Sequence, residues 1–109
     1  MSINTSEVIE KMILAAKGVF DEKWPETQEY AESEIKIFAE RLAMIAKLRA
    51  SGAISKKRAK SHVEFQKEAW ETVLLAVAGL NQLLIEEALN AALDAVKEII
   101  NTAVGFVLL

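Results

Sequence analysis

His62 is the only histidine of the chain, and there is no cysteine. One imidazole cannot assemble a histidine-based zinc site, and any Ser-His-Asp triad would have to be built around this single residue. Glu64 and Glu68 flank it at helical spacing, which is a common surface salt-bridge pattern. The Glu-x-x-His pairs of helical di-iron proteins are missing, and no glycine-rich phosphate loop occurs. Without cysteine there is no disulfide, thiolate nucleophile or cysteine-based metal centre, a composition that fits a reducing compartment. Trp24, Trp70 and Phe65 have the types needed for an aromatic cage, but large aromatics on helices more often anchor packing. The expectation is a protein that is not an enzyme and takes no cofactor and no metal.

Charge is the more informative chemistry. Residues 21–40 are acidic, with Asp21, Glu22, Glu26, Glu29, Glu32, Glu34 and Glu40 set against Lys23 and Lys36. Residues 41–62 contain no acid and carry Arg41, Lys47, Arg49, Lys56, Lys57, Arg58 and Lys60. Lys56, Lys57 and Arg58 fall in a helix's first turn, where the macrodipole disfavours cations. A local rule broken without local compensation hints at use. Lys47, Arg49, Lys56, Lys57, Arg58 and Lys60 are therefore the candidate contacts for an anionic partner: a phosphate backbone, lipid headgroups or an acidic patch on another subunit. A solvated turn that keeps the protein soluble is the plainer alternative. The net charge of −3 argues against nucleic-acid binding by the domain as a whole.

These groups must be positioned by helices. With 109 residues, 52% hydrophobic, one proline and 6% aromatic, the chain reads as one all-α domain. Asn4 followed by Glu7 is a variant capping box, and Val8, Ile9, Met12, Ile13, Ala16, Val19 and Phe20 recur at helical spacing, predicting a helix over 5–23. Trp24-Pro25 is a boundary, since proline restrains the residue before it yet suits the first turn of a new helix. A second helix over 25–51 ends at Gly52, with Ser55 capping the next. From 55 to 108 no strong stop signal appears, so a single long helix is expected, making a long antiparallel hairpin with an additional N-terminal helix. The alternative is a break near Gly79 and a four-helix bundle.

Residues 72–85 carry no charge, and a helix apolar all round must be covered. Fourteen uncharged residues fall short of the roughly 20 needed to span a bilayer. Val73, Leu74, Val77, Leu80, Asn81, Leu84 and Ile85 are therefore expected at a homo-oligomer interface, with Asn81 as a register-setting internal contact. Asn90 and Asn101 read as a solvated stripe.

The ending, Asn90-Ala91-Ala92 through Asn101-Thr102-Ala103-Val104-Gly105-Phe106-Val107-Leu108-Leu109, resembles the apolar, alanine-rich tails of small uncharacterised helical proteins of phage and prophage gene clusters. That resemblance covers about the last twenty residues and transfers no functional residue; it implies a virion or morphogenesis component. The first expectation is thus a structural protein that homo-oligomerises through its C-terminal helix, cytoplasmic or virion-associated, with no signal peptide. A membrane-attached helical protein and a nucleic-acid-binding accessory factor using the basic tip are the alternatives.

Overall fold

The computed structural model describes residues 3–76 and 80–109. Four α-helices follow one another, α1 (Thr5–Phe20), α2 (Trp24–Ala50), α3 (Lys56–Ala76) and α4 (Gln82–Val104), and the fold class is all-α. Asn4 opens α1 from an extended backbone, its Oδ1 accepting a 3.1 Å bond from the Glu7 amide. That satisfies one of the N–H groups a helix start leaves without a partner. Val8, Met12, Ala16 and Phe20 then form a single buried row.

The α-helix stops at Phe20 rather than near Lys23 because Asp21 adopts φ 47°, ψ −109°, outside the right-handed helical region. One 3₁₀ turn, Asp21–Lys23, leads straight into α2 with Pro25 in its first turn. Phe20 and Trp24 stack across the bend at 6.3 Å, and the buried Thr27 hydroxyl donates to the Lys23 carbonyl at 3.0 Å. The 27 residues of α2 span about 40 Å at about 1.5 Å each, which already fills the long dimension of a molecule measuring 41 × 22 × 18 Å. The bend therefore folds α1 back along α2.

The second reversal is a Schellman turn. Ala53 N–H donates to the Leu48 carbonyl at 2.9 Å and Gly52 N–H to Arg49 at 3.1 Å, with Gly52 at φ 79°. Ser55 Oγ then accepts from the Arg58 amide at 3.1 Å and caps α3. At the far end of the chain, Ile3, Asn4 and Glu7 border one surface cavity with Ile99 and Thr102, so α1 and α4 are antiparallel as well. The architecture is an up-down-up-down four-helix bundle. α2 and α4 each pack on the three other helices, whereas α1 and α3 make no close backbone approach among the described residues.

The single helix over 55–108 is corrected by this arrangement, and the four-helix alternative is the one adopted. α3 runs to Ala76, and Asn81, with φ −91° and ψ 157°, is extended and starts α4 afresh. Its Oδ1 accepts the Leu84 amide at 2.8 Å, doing for that group what a preceding helical carbonyl would have done. Val77, Ala78 and Gly79 lie outside the described residues. Trp70, Met12, Ile35, Leu42, Leu74 and Ile85 sit fully buried between the four helices.

Asn81→Ala separates the two architectures. A helix running through this position would gain from alanine, the better helix former, whereas loss of an N-cap should cost about 1 kcal/mol. We expect the urea midpoint to fall, with an unchanged m-value.

Candidate interaction surfaces

The basic tip is built from the end of α2, the Schellman turn and the first two turns of α3. Lys47, Lys56, Lys57, Arg58 and Lys60 are exposed, and among the described residues none of them forms an ion pair. Lys57 and Arg58 occupy the first turn because Ser55 caps the helix there. Arg49 differs from the rest. It is half-buried, one terminal guanidinium nitrogen donates to the Ile54 carbonyl at 3.3 Å, and its Cζ lies 5.9 Å from the centre of the Phe106 ring. It ties the turn to the chain's end.

Phe106 was not legible as part of this site. Gly105, at φ 78°, ends α4 and turns the tail inward, and Asn101 Oδ1 accepts the amides of Leu108 and Leu109, each at 2.9 Å. Leu108 is thereby buried, and Phe106 comes to rest with Lys56 Nζ 5.4 Å from its ring centre. Asn101 is thus a tail clamp rather than a member of a solvated stripe. An open depression of about 700 Å³ results, with Lys56, Lys57 and Lys60 on one side, Phe65 and Phe106 as apolar walls, and Glu64 and Glu68 beyond. Glu64 is engaged by Lys67 at 3.1 Å.

Of the residues expected at an oligomer interface, three are spent inside the chain. Leu74 and Ile85 are wholly buried and Leu80 nearly so. Val73 and Leu84 are half-buried, Asn81 is an exposed helix cap, and Val77 falls outside the described residues. The apolar face of α4 satisfies itself against its own bundle: Ile85, Ala88, Leu89, Ala92, Leu93, Val96 and Ile100 all point into the core.

Leu14, Leu75, Leu83 and Val107 are exposed on four different segments, whereas on α2 the exposed apolar residues recur along one side. Ile35, Phe38, Leu42 and Ile45 face inward, while Tyr30, Ile37, Met44 and Leu48 form a second apolar row on the outer side, exposed by 36% to 52%. The signal was present as a seven-residue repeat, 30, 37 and 44, offset from the buried one. Phe65 of α3, 62% exposed, borders a depression between α2 and α3 together with Ile37, Glu34 and Arg41. Trp24 and Trp70 are core residues, so no aromatic cage forms with Phe65. Among the described residues no three metal-ligating side chains converge, and no helix is long and apolar enough to cross a membrane.

Scans against protein-family models, curated proteins and solved structures return no match for this chain.

The two kinds of tip cation should respond differently to removal. Arg49→Ala deletes a turn hydrogen bond and a cation–π contact and should cost about 1–3 kcal/mol. Lys57→Gln and Arg58→Gln together remove only exposed charge and should leave the melting temperature nearly unchanged. Thermal unfolding followed by circular dichroism reads both.

Proposed function

We propose that this protein is a non-enzymatic assembly protein that associates with further copies of itself through the outer face of α2. The row formed by Tyr30, Ile37, Met44 and Leu48 carries this reading. Single exposed apolar residues are ordinary on a protein surface, but apolar residues repeating every seven positions along one side of a helix are what lets one helix seat on another. The burial of the apolar face of α4 within its own bundle favours this row over the C-terminal helix as the associating surface. The likeness of the C-terminal tail to phage and prophage helical proteins favours a structural or morphogenesis role over a metabolic one.

A second reading rests on a separate observation. Five exposed cations without ion-pair partners, three of them in the first turn of α3, favour an anionic surface as a partner for the tip. The Lys56, Lys57 and Arg58 glutamine triple variant should be retained less than wild type on anionic liposomes or on DNA. The difference should shrink as salt shortens the Debye length to about 8 Å at physiological ionic strength. Equal retention of the two proteins on both supports would remove this reading.

Light scattering behind size exclusion tests self-association. We expect a mass that rises with concentration and is insensitive to detergent, and a Met44→Glu variant that stays a folded monomer, because Met44 is exposed in the bundle. A wild type that remains monomeric at high micromolar concentration would exclude the proposal.

A further inference from the structure

We infer that two copies of the chain pair antiparallel along α2 about a twofold axis at Ile37, with Glu34 of each copy facing Arg41 of the other. This rests on the self-association reading and adds stoichiometry, direction and register to it.

The register follows from where the exposed row lies. α2 runs from Trp24 to Ala50, so Ile37 is its middle residue. In a twofold pair the same patch is used by both copies, and residues equally far on opposite sides of the axis meet. With the axis at Ile37, the two Ile37 side chains oppose each other. Tyr30 of each copy then lies against Met44 of the other, since both are seven positions from the centre. From Tyr30 to Met44 the apolar row covers itself, while Leu48 falls opposite Glu26 of the other copy, and Phe65 beside Ile37 widens the apolar ground.

Direction follows from charge. The first half of α2 holds Glu26, Glu29, Glu32 and Glu34 with one base, Lys36, and the second half holds Arg41 and Lys47 with one acid, Glu40, besides Arg49, which is committed to the turn. A parallel pair would set acid on acid and base on base, whereas an antiparallel pair sets each acidic half on a basic one.

Flank decides which charges meet. Glu34 and Arg41 border the same depression between α2 and α3, so they lie on one side of the apolar row. A twofold axis across the helices brings like flanks together, and in this register Glu34 comes within one position of Arg41 of the second copy. Among the described residues neither has an ion-pair partner in its own chain. On the other flank, Glu29 and Lys47 come within a turn of each other in the same way. The pair is closed, because each copy has spent its only such row among the described residues.

Cysteine cross-linking of the full chain provides the test, since no native cysteine interferes. Under mild oxidation Ile37→Cys should form a covalent dimer, its Cα pair falling within the roughly 7 Å that a disulfide can bridge. Tyr30→Cys and Met44→Cys should each fail alone and cross-link when mixed. In sedimentation equilibrium, Glu34→Arg and Arg41→Glu should each weaken the dimer about tenfold or more, because both symmetric sites then hold like charges. The double variant restores opposite charges and should return to within about threefold of wild type. If either single variant loses helicity, Glu29→Lys and Lys47→Glu, both exposed, give the same readout on the other flank. Association that persists while Tyr30→Cys cross-links to itself, or while the double variant fails to recover, overturns this arrangement and leaves self-association standing. A monomeric wild type overturns both.

Discussion

The length of α2 is the constraint on which the rest of the molecule depends. A helix of 27 residues is as long as the whole bundle, so every other element must lie alongside it and the chain must reverse at each of its ends. At the start the reversal is made by Asp21 in a positive-φ conformation and held by the stacked pair Phe20 and Trp24. A non-glycine residue in this sparsely populated conformation costs about 1–3 kcal/mol, offset by the burial of two large aromatic rings beside it. At the end it is made by Gly52, where the same sign of φ carries no such penalty. Asn81 supplies the third start, and α4 then closes the bundle by packing on all three of the other helices.

Closing the bundle uses up the apolar face of α4. Ile85, Leu89, Val96 and Ile100 need covering, and α1, α2 and α3 cover them. The helix surface left over is not where hydropathy is greatest but where geometry leaves a face outside, along α2. A long helix with buried residues on one side and a second apolar row on the other cannot satisfy both within four helices.

The tip and the tail are one assembly. Asn101 holds the last amides, Gly105 turns the chain, and Phe106 is delivered against Arg49 and Lys56. The exposed lysines beside it keep their charges available to solvent or to an anionic partner, while Arg49 is committed to holding the turn. Two residues of the same charge, a few positions apart, therefore do different work, and only their environment distinguishes them.

Much of this was legible in the residues alone. The Asn4 cap, the Pro25 boundary, the Gly52 turn and the Ser55 cap were each readable, because helix ends are decided by local backbone chemistry that one or two residue types supply. The segregation of acid and base along α2 was equally plain. The break before Asn81 was not, because asparagine is weak punctuation and its cap forms only when the chain has somewhere to turn back to. Nor could composition tell that the apolar face of α4 would be covered by its own chain, or that Ile37 and Met44 would be left outside. Periodicity identifies which side chains share a face, but which face is buried depends on the neighbours that tertiary packing brings to it. Phe106 and Arg49 make the same point, since a contact across more than fifty residues has no local signature and is decided only when the helices that carry it are set side by side.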